Sequence, residues 1–381
     1  MSSQCSSEKK YERLTEDEPS SLEASTRVRS LLPPITGSVI KVLLLPILFP
    51  LKYNRNICFT DNLLSYFFGF VCLNYVCGQP TFEARVRTLA RMHAFDCKFD
   101  DSFPSWMRKQ CPSLAHTVEE VTSTDGTKVK LNVVRPSNGS DSRIVLVFFH
   151  GGGMAVGSAL NPNFRELIKR YGTCCTLMSP EYRVGIEGGK CPAGVDDCMA
   201  AVRHAAAVAG SGTNVILTGD SAGGYLTIAC GLRAKAEGLH LRHLLPIAPY
   251  QHIDIDKSRA TSANGVRVGG TGCFDLNNSL TTPFMDLLSA VWVPDADRKQ
   301  FRPEHDLRKA DYAGVAPTTV VYFSDDILAD EGVDIHARLV AAGVQAKLVP
   351  VPASHFYGCV FFFKFDEVKL GCDIAIIGKA A

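Results

Sequence analysis

A serine flanked by glycines, Gly219-Asp220-Ser221-Ala222-Gly223, stands between a short apolar run, Asn214 to Thr218, and an alanine-rich stretch from Ala222 to Ala236. The run reads as a buried strand and the stretch as a helix, so Ser221 falls on the sharp strand-to-helix turn of a nucleophile elbow. Such a turn lifts the hydroxyl above the sheet edge, and glycines on both sides let the backbone close without Cβ collisions. A serine held this way is placed for nucleophilic attack on a carbonyl carbon. Alone the pattern is weak, because chains of this length and glycine content produce Gly-x-Ser-x-Gly by accident.

Three further segments decide the matter. The apolar strand Arg143 to Phe149 runs straight into His150-Gly151-Gly152-Gly153. A glycine run leaves backbone N–H groups unshielded, and such donors stabilise the oxyanion of a tetrahedral intermediate, each worth about 2.7–4 kcal/mol in barrier. Gly152, Gly153 and Ala222 are the candidate donors. A phosphate-binding loop is the competing reading, but neither Gly-x-Gly-x-x-Gly nor Gly-Lys-Ser/Thr follows. The second segment, Ser324 to Gly332, follows the strand Thr318 to Phe323, and Asp326 is the candidate carboxylate that fixes a histidine tautomer. Asp325 and Asp330 compete for that place; both suit turn or helix-capping roles. The third segment puts His355 in a loop just past the strand Lys347 to Val351, where it would swing over the elbow as the base. An imidazole titrates near neutrality and can serve first as base and then as acid. His204, His240, His243 and His336 flank or occupy helices and strands, and His150 belongs to the glycine loop with a structural hydrogen-bonding role.

The order Ser221, Asp326, His355 is that of α/β-hydrolases and differs from the chymotrypsin-like and subtilisin-like orders. The chain resembles their hormone-sensitive-lipase-like branch, which carries His-Gly-Gly-Gly, Gly-Asp-Ser-Ala-Gly-Gly, Asp-x-Leu-x-Asp-Glu and a late His. These stand here as His150 to Gly153, Gly219 to Gly224, Asp326 to Glu331 and His355, within a match over residues 143 to 360. Glu181 to Glu187 and Cys191 to Asp197 are similar to the family's Tyr-Arg-Leu-Ala-Pro-Glu and Pro-Ala-x-x-x-Asp segments. Met154 replaces a frequent aromatic residue, and Val184-Gly185-Ile186 replaces Leu-Ala-Pro; both departures bear on substrate preference and not on Ser221, Asp326 or His355. The resemblance implies a carboxylic ester hydrolase with no metal and no organic cofactor, and a small-molecule ester of short to medium acyl length is the expected substrate. Two rivals are a membrane-associated lipase or deacetylase for longer acyl chains and a non-catalytic binding protein on a hydrolase scaffold. The latter usually lacks one of the three residues, and this chain keeps them all.

The elements that must position these residues are also legible. With 381 residues and 46% hydrophobic content the chain can hold one large α/β domain plus an accessory segment. Helices over Leu160 to Tyr171 and Val195 to Val208 alternate with strands, as in a doubly wound, mostly parallel sheet. A hairpin over Glu119 to Arg135, turning at Asp125-Gly126, opens the hydrolase domain, which is expected over 113–381. Residues 251–300 lack the alternation and are expected to hold part of a helical cap. A net charge of +1, without a basic stripe, excludes a nucleic-acid partner. The 14 cysteines show no paired spacing for zinc or a disulfide framework and read as buried thiols. Residues 1–30 are polar, read as a disordered tail, and lack a signal peptide, which points to the cytoplasm or to the periphery of a membrane. Residues 31–112 read as an apolar accessory segment, helical and charged from Thr81 to Arg91. Its runs Val42 to Leu51 and Leu63 to Cys77 are too short or too proline-broken to span a bilayer. Residues 39–77 would either form the rest of the cap or touch a membrane or lipid surface, helped by Lys41, Lys52 and Arg55.

Overall fold

Eight strands pair into one sheet in a computed structural model that describes residues 76–138, 143–251, 280, 282–293 and 306–361. The strands are β1 (Leu114–Thr122), β2 (Lys128–Pro136), β3 (Val145–Phe149), β4 (Thr176–Pro180), β5 (Val215–Asp220), β6 (His243–Ile247), β7 (Thr318–Asp325) and β8 (Ala346–Ser354). Their spatial order is β1-β2-β4-β3-β5-β6-β7-β8. Pairing is antiparallel from β1 through β2 to β4 and parallel from there to β8. The doubly wound α/β fold class is therefore the one the motifs implied.

The described helices are α1 (Phe82–Asp100), α2 (Phe103–Gln110), α3 (Pro162–Tyr171), α4 (Ala193–Val208), α5 (Ala222–Ala236), α6 (Thr282–Trp292), α7 (Ala329–Ala341) and α8 (His355–Phe361). Strand periodicity sorts the core into two layers. Val145, Val147 and Phe149 of β3 share one buried cluster with residues of α4, α5 and α7, such as Met199, Tyr225 and Leu339. Leu146 and Phe148 point the other way, toward Phe103 and Met107 of α2, Phe164 and Leu167 of α3, and Cys359 of α8. Central strands buried on both faces need no polar alternation: every residue of β3, β4, β5 and β6 is buried, and β3 is apolar throughout.

The hairpin turn sits where Asp125-Gly126 placed it: Gly126 has φ 86°, and Asp125 Oδ1 accepts from the Thr127 N–H at 3.0 Å. Helix α1 runs nine residues beyond the charged pattern that announced it, to Asp100. The nine described cysteines are all unbridged. Among the described residues no helix is long and apolar enough to cross a membrane. The polar tail, nearly all of the apolar stretch 39–77 and most of 251–300 lie outside the described residues.

Candidate active site

Strand β5 ends at Asp220 and helix α5 begins at Ala222, leaving Ser221 between them at φ 55° and ψ −113°. A side chain in this region costs roughly 1–3 kcal/mol, which the surroundings must offset. Ser221 N–H donates to the Ile247 carbonyl at 2.8 Å, and the Ser221 carbonyl accepts from Tyr225 at 3.1 Å. Gly223 lies so close to the Phe149 carbonyl that a Cβ there would overlap backbone, so the glycine on that side of the elbow is a steric requirement.

The three chain-distant residues meet at the carboxyl ends of the strands. Ser221 Oγ is 3.0 Å from His355 Nε2, and His355 Nδ1 is 2.5 Å from Asp326 Oδ2. Asp326 Oδ1 accepts from the Leu328 N–H at 3.0 Å. All three side chains belong to residues less than a tenth exposed. With Nδ1–H donating to the carboxylate, the Nε2 lone pair faces the serine hydroxyl, so the arrangement can move a proton from oxygen to imidazole. A register shift between β7 and β8 at Phe323 and Asp325 re-aims the end of β7. Asp325 pairs across to Ser354 and accepts from Ser324 Oγ at 3.1 Å, and Asp330 sits in the first turn of α7. His355 differs from the expected loop residue: β8 ends at Ser354 and His355 is the first residue of α8. A helix brings its i+4 residue alongside, and Cys359 Sγ lies 3.7 Å from His355 Nε2.

The glycine loop enters from β3. Gly152 at φ 115° and Gly153 at φ 62° adopt backbone that favours glycine, and the Gly152 carbonyl accepts from the N–H groups of Ala155 and Val156 at 3.1 Å. Among the described residues neither the Gly152 nor the Gly153 N–H is used in a hydrogen bond. The Ala222 N–H opens α5 and is one of the donors a helix N-terminus leaves over. Leu288 of α6 packs directly on Gly153.

His150 holds this loop from behind. Its ring is fully buried and stacks on Tyr182 at 4.1 Å. Its Nδ1–H donates to the Gly151 carbonyl at 2.7 Å, and Tyr182 O–H donates to the His150 carbonyl at 2.7 Å. Burial pushes the His150 pKa down to about 4, so the ring stays neutral. Beside Tyr182, Arg183 grips the buried Asp197 through Nε at 2.9 Å and Nη2 at 2.7 Å, and reaches Asp125 of the hairpin at 2.7 Å. The Tyr-Arg and Pro-Ala-x-x-x-Asp segments are thus a buttress for the glycine loop.

A profile of the alpha/beta hydrolase fold matches residues 146–357. The chain belongs to that family. The matched segment nearly coincides with the one bearing the motif resemblance. Carboxylesterase NlhH of Mycobacterium tuberculosis is 26% identical over 240 residues, 61% of this hydrolase and 72% of that protein. Tuliposide A-converting enzyme b1 of Tulipa gesneriana is 32% identical over 151 residues, 35% of this chain and 40% of the plant protein. Among solved structures, brefeldin A esterase, described as a bacterial homologue of human hormone sensitive lipase, superposes with a TM-score of 0.59 at 21% identity, covering 79% of this chain and 85% of its own. A bacterial heroin esterase gives 0.60 at 21% identity over 76% of this chain and 91% of its own. The structural likeness is one of fold.

Several residues around this site were not singled out from the sequence. Asp220, Asn163 and Cys359 surround His355 and the elbow from three elements. Asp220 lies inside the elbow motif, so its position was visible; Asn163 and Cys359 carry no local signal, because only the packing of α3 against α8 joins them.

Proposed function

We propose that this hydrolase is a carboxylic ester hydrolase working through an acyl-enzyme, with Ser221 as nucleophile, His355 as general base and acid, and Asp326 as the carboxylate that orients the imidazole. The observation that carries the reading is the unbroken relay from Ser221 Oγ through His355 to Asp326, at 3.0 Å and 2.5 Å, beside glycine N–H groups that no described residue uses. Ser221 Oγ attacks the ester carbonyl carbon while its proton passes to Nε2. The carbonyl oxygen becomes an oxyanion that accepts from Gly152, Gly153 and Ala222 N–H groups. Collapse breaks the bond to the alkoxy oxygen, which leaves as the alcohol with the proton from Nε2. Water then attacks the acyl-enzyme by the same route and releases the carboxylic acid.

The activity is also what the name of NlhH, a carboxylesterase, suggests by analogy. Short to medium acyl esters are the proposed substrates, with Leu288 packed against Gly153 in the donor loop. Hydrolysis of p-nitrophenyl esters from acetate to palmitate, by wild type and Ser221→Ala, with fluorophosphonate labelling, tests the proposal. Activity with an optimum at short chains, lost by several orders of magnitude in Ser221→Ala, is the expected result. A palmitate optimum would shift the substrate class to long-chain lipids, and equal turnover by the variant would refute the serine mechanism.

A further inference from the structure

The base of the proposed site is carried by a short helix, α8, whose first residue is His355. A helix of this length is marginal alone and must be held by tertiary contacts. One of these is specific and polar. Asn163, in the first turn of α3 and 7% exposed, donates from Nδ2 to the Cys359 carbonyl at 2.7 Å across 196 residues of sequence. The same asparagine also favours the charged form of Asp220, the residue before the nucleophile. Asp220 in turn presses its carboxyl against Gly151, where a Cβ would stand 2.5 Å from Oδ2. Asn163 therefore sits between the helix that bears His355, the elbow that bears Ser221, and the glycine loop. Helix α3 is itself fixed at this end: Asn161 caps it by accepting from the Phe164 N–H at 3.0 Å, and Phe164, Leu167 and Ile168 are fully buried.

We propose that Asn163 is a positioning residue for the reaction: by tying the Cys359 carbonyl of α8 to α3 beside Asp220, it keeps His355 Nε2 in register with Ser221 Oγ. The inference rests on the acyl-enzyme reading above. The groups facing this junction agree with it. Burial pushes the Asp220 carboxyl up to about 7, with Asn163 and the neighbouring His355 acting against that rise. The Cys359 thiol is also pushed upward by burial, with Asp220 and Asp326 adding to the effect, so it stays protonated and does not compete as a charge. The polar tie between α3 and α8 is a neutral amide, so its loss removes no charge from the junction.

The test compares wild type with Asn163→Leu, which keeps the volume and removes the donor, and Asn163→Ala, which removes both. Steady-state kinetics on p-nitrophenyl butyrate are referred to active sites counted by fluorophosphonate labelling of Ser221. Misplacement of a reacting group by about 1 Å can cost about a hundredfold. Both variants are expected to lose about 10- to 100-fold in kcat with KM within about twofold, and to label to full stoichiometry at a rate reduced in parallel. A purely structural asparagine would lower the fraction of labelled sites and leave kcat per site unchanged. That result, or kcat per site within about twofold of wild type in Asn163→Leu, overturns the inference. Should Asn163→Ala fail to fold, Asn163→Leu alone decides. Ser221→Ala, run alongside, separates the two levels: an active Ser221→Ala refutes the acyl-enzyme reading itself, whereas an inactive Ser221→Ala with unaffected Asn163 variants refutes only the positioning role.

Discussion

Replacing Asp326 by asparagine isolates the contribution of one buried charge to the proposed reaction. Asp326 is 1% exposed, and its Oδ2 lies 2.5 Å from His355 Nδ1. When His355 takes the serine proton, an imidazolium forms against this carboxylate, with charge centres roughly 4 Å apart. At an effective dielectric of about 20 that attraction is worth about 4 kcal/mol. Loss of the charge-assisted hydrogen bond adds about 1.5 kcal/mol. The total of about 5.5 kcal/mol corresponds to about a 10⁴-fold loss in kcat. An asparagine NH₂ facing Nδ1 also favours the tautomer whose Nε2 carries the proton, which removes the base. Asp220 does not take over, since its buried carboxyl is pushed up to about 7 and meets Gly151. The assay is kcat on p-nitrophenyl acetate at saturating substrate, with circular dichroism to verify the fold and Asp325→Asn as the comparison. Asp325 contacts Ser324 and pairs with Ser354, so its substitution should cost less than about tenfold. A loss below about tenfold in Asp326→Asn, or a larger loss in Asp325→Asn, would refute the assignment of the carboxylate.

Four further outcomes follow from the scaffold. Arg183→Ala strands the fully buried Asp197 carboxylate and should destabilise the fold by about 3–5 kcal/mol, read as a fall in the urea midpoint at constant slope. Gly223→Ala drives a methyl into the Phe149 carbonyl, which as backbone cannot turn aside; a loss of about 3 kcal/mol or more, or an insoluble protein, is expected, and a variant with unaltered melting temperature would contradict the geometry. Asp220 has a folded pKa raised from 3.8 to about 7, so the native state holds a proton there that the unfolded chain has lost, and stability falls as pH rises through that window. Asp220→Asn removes this loss, so its melting temperature relative to wild type should increase between about pH 5 and about pH 8. His150 runs in the opposite sense: with its pKa depressed to about 4, the unfolded state takes up its proton first, and stability is lost as pH falls below about 6.5. His150→Phe should therefore flatten the acid side of the wild-type stability profile.

Much of this hydrolase is determined by local sequence. Elbow, glycine loop and strand ends are short-range patterns, because a strand buried on both faces must be apolar throughout and a turn at positive φ must be small. Ser221, Gly152, Gly153 and Ala222 could be named as candidates for that reason, and the hairpin turn at Asp125-Gly126 could be placed. The carboxylate was narrower but not single: Asp325 and Asp326 are adjacent, and only the shifted register of β7 against β8 aims Asp326 at the imidazole while Asp325 pairs with Ser354. Tertiary structure likewise decided that His355 begins a helix, since α8 depends on packing against α3 and β8 that no seven-residue window encodes. Arg183 with Asp197, His150 with Tyr182, and Asn163 with Cys359 are each joined across the fold by hydrogen bonds whose partners lie 14, 32 and 196 residues apart. Periodicity reports which face of an element is buried, and it is silent on which distant polar groups that burial brings together. The proposed chemistry is thus written in residue types and their order along the chain, and its geometry is decided by the packing of helices against the sheet.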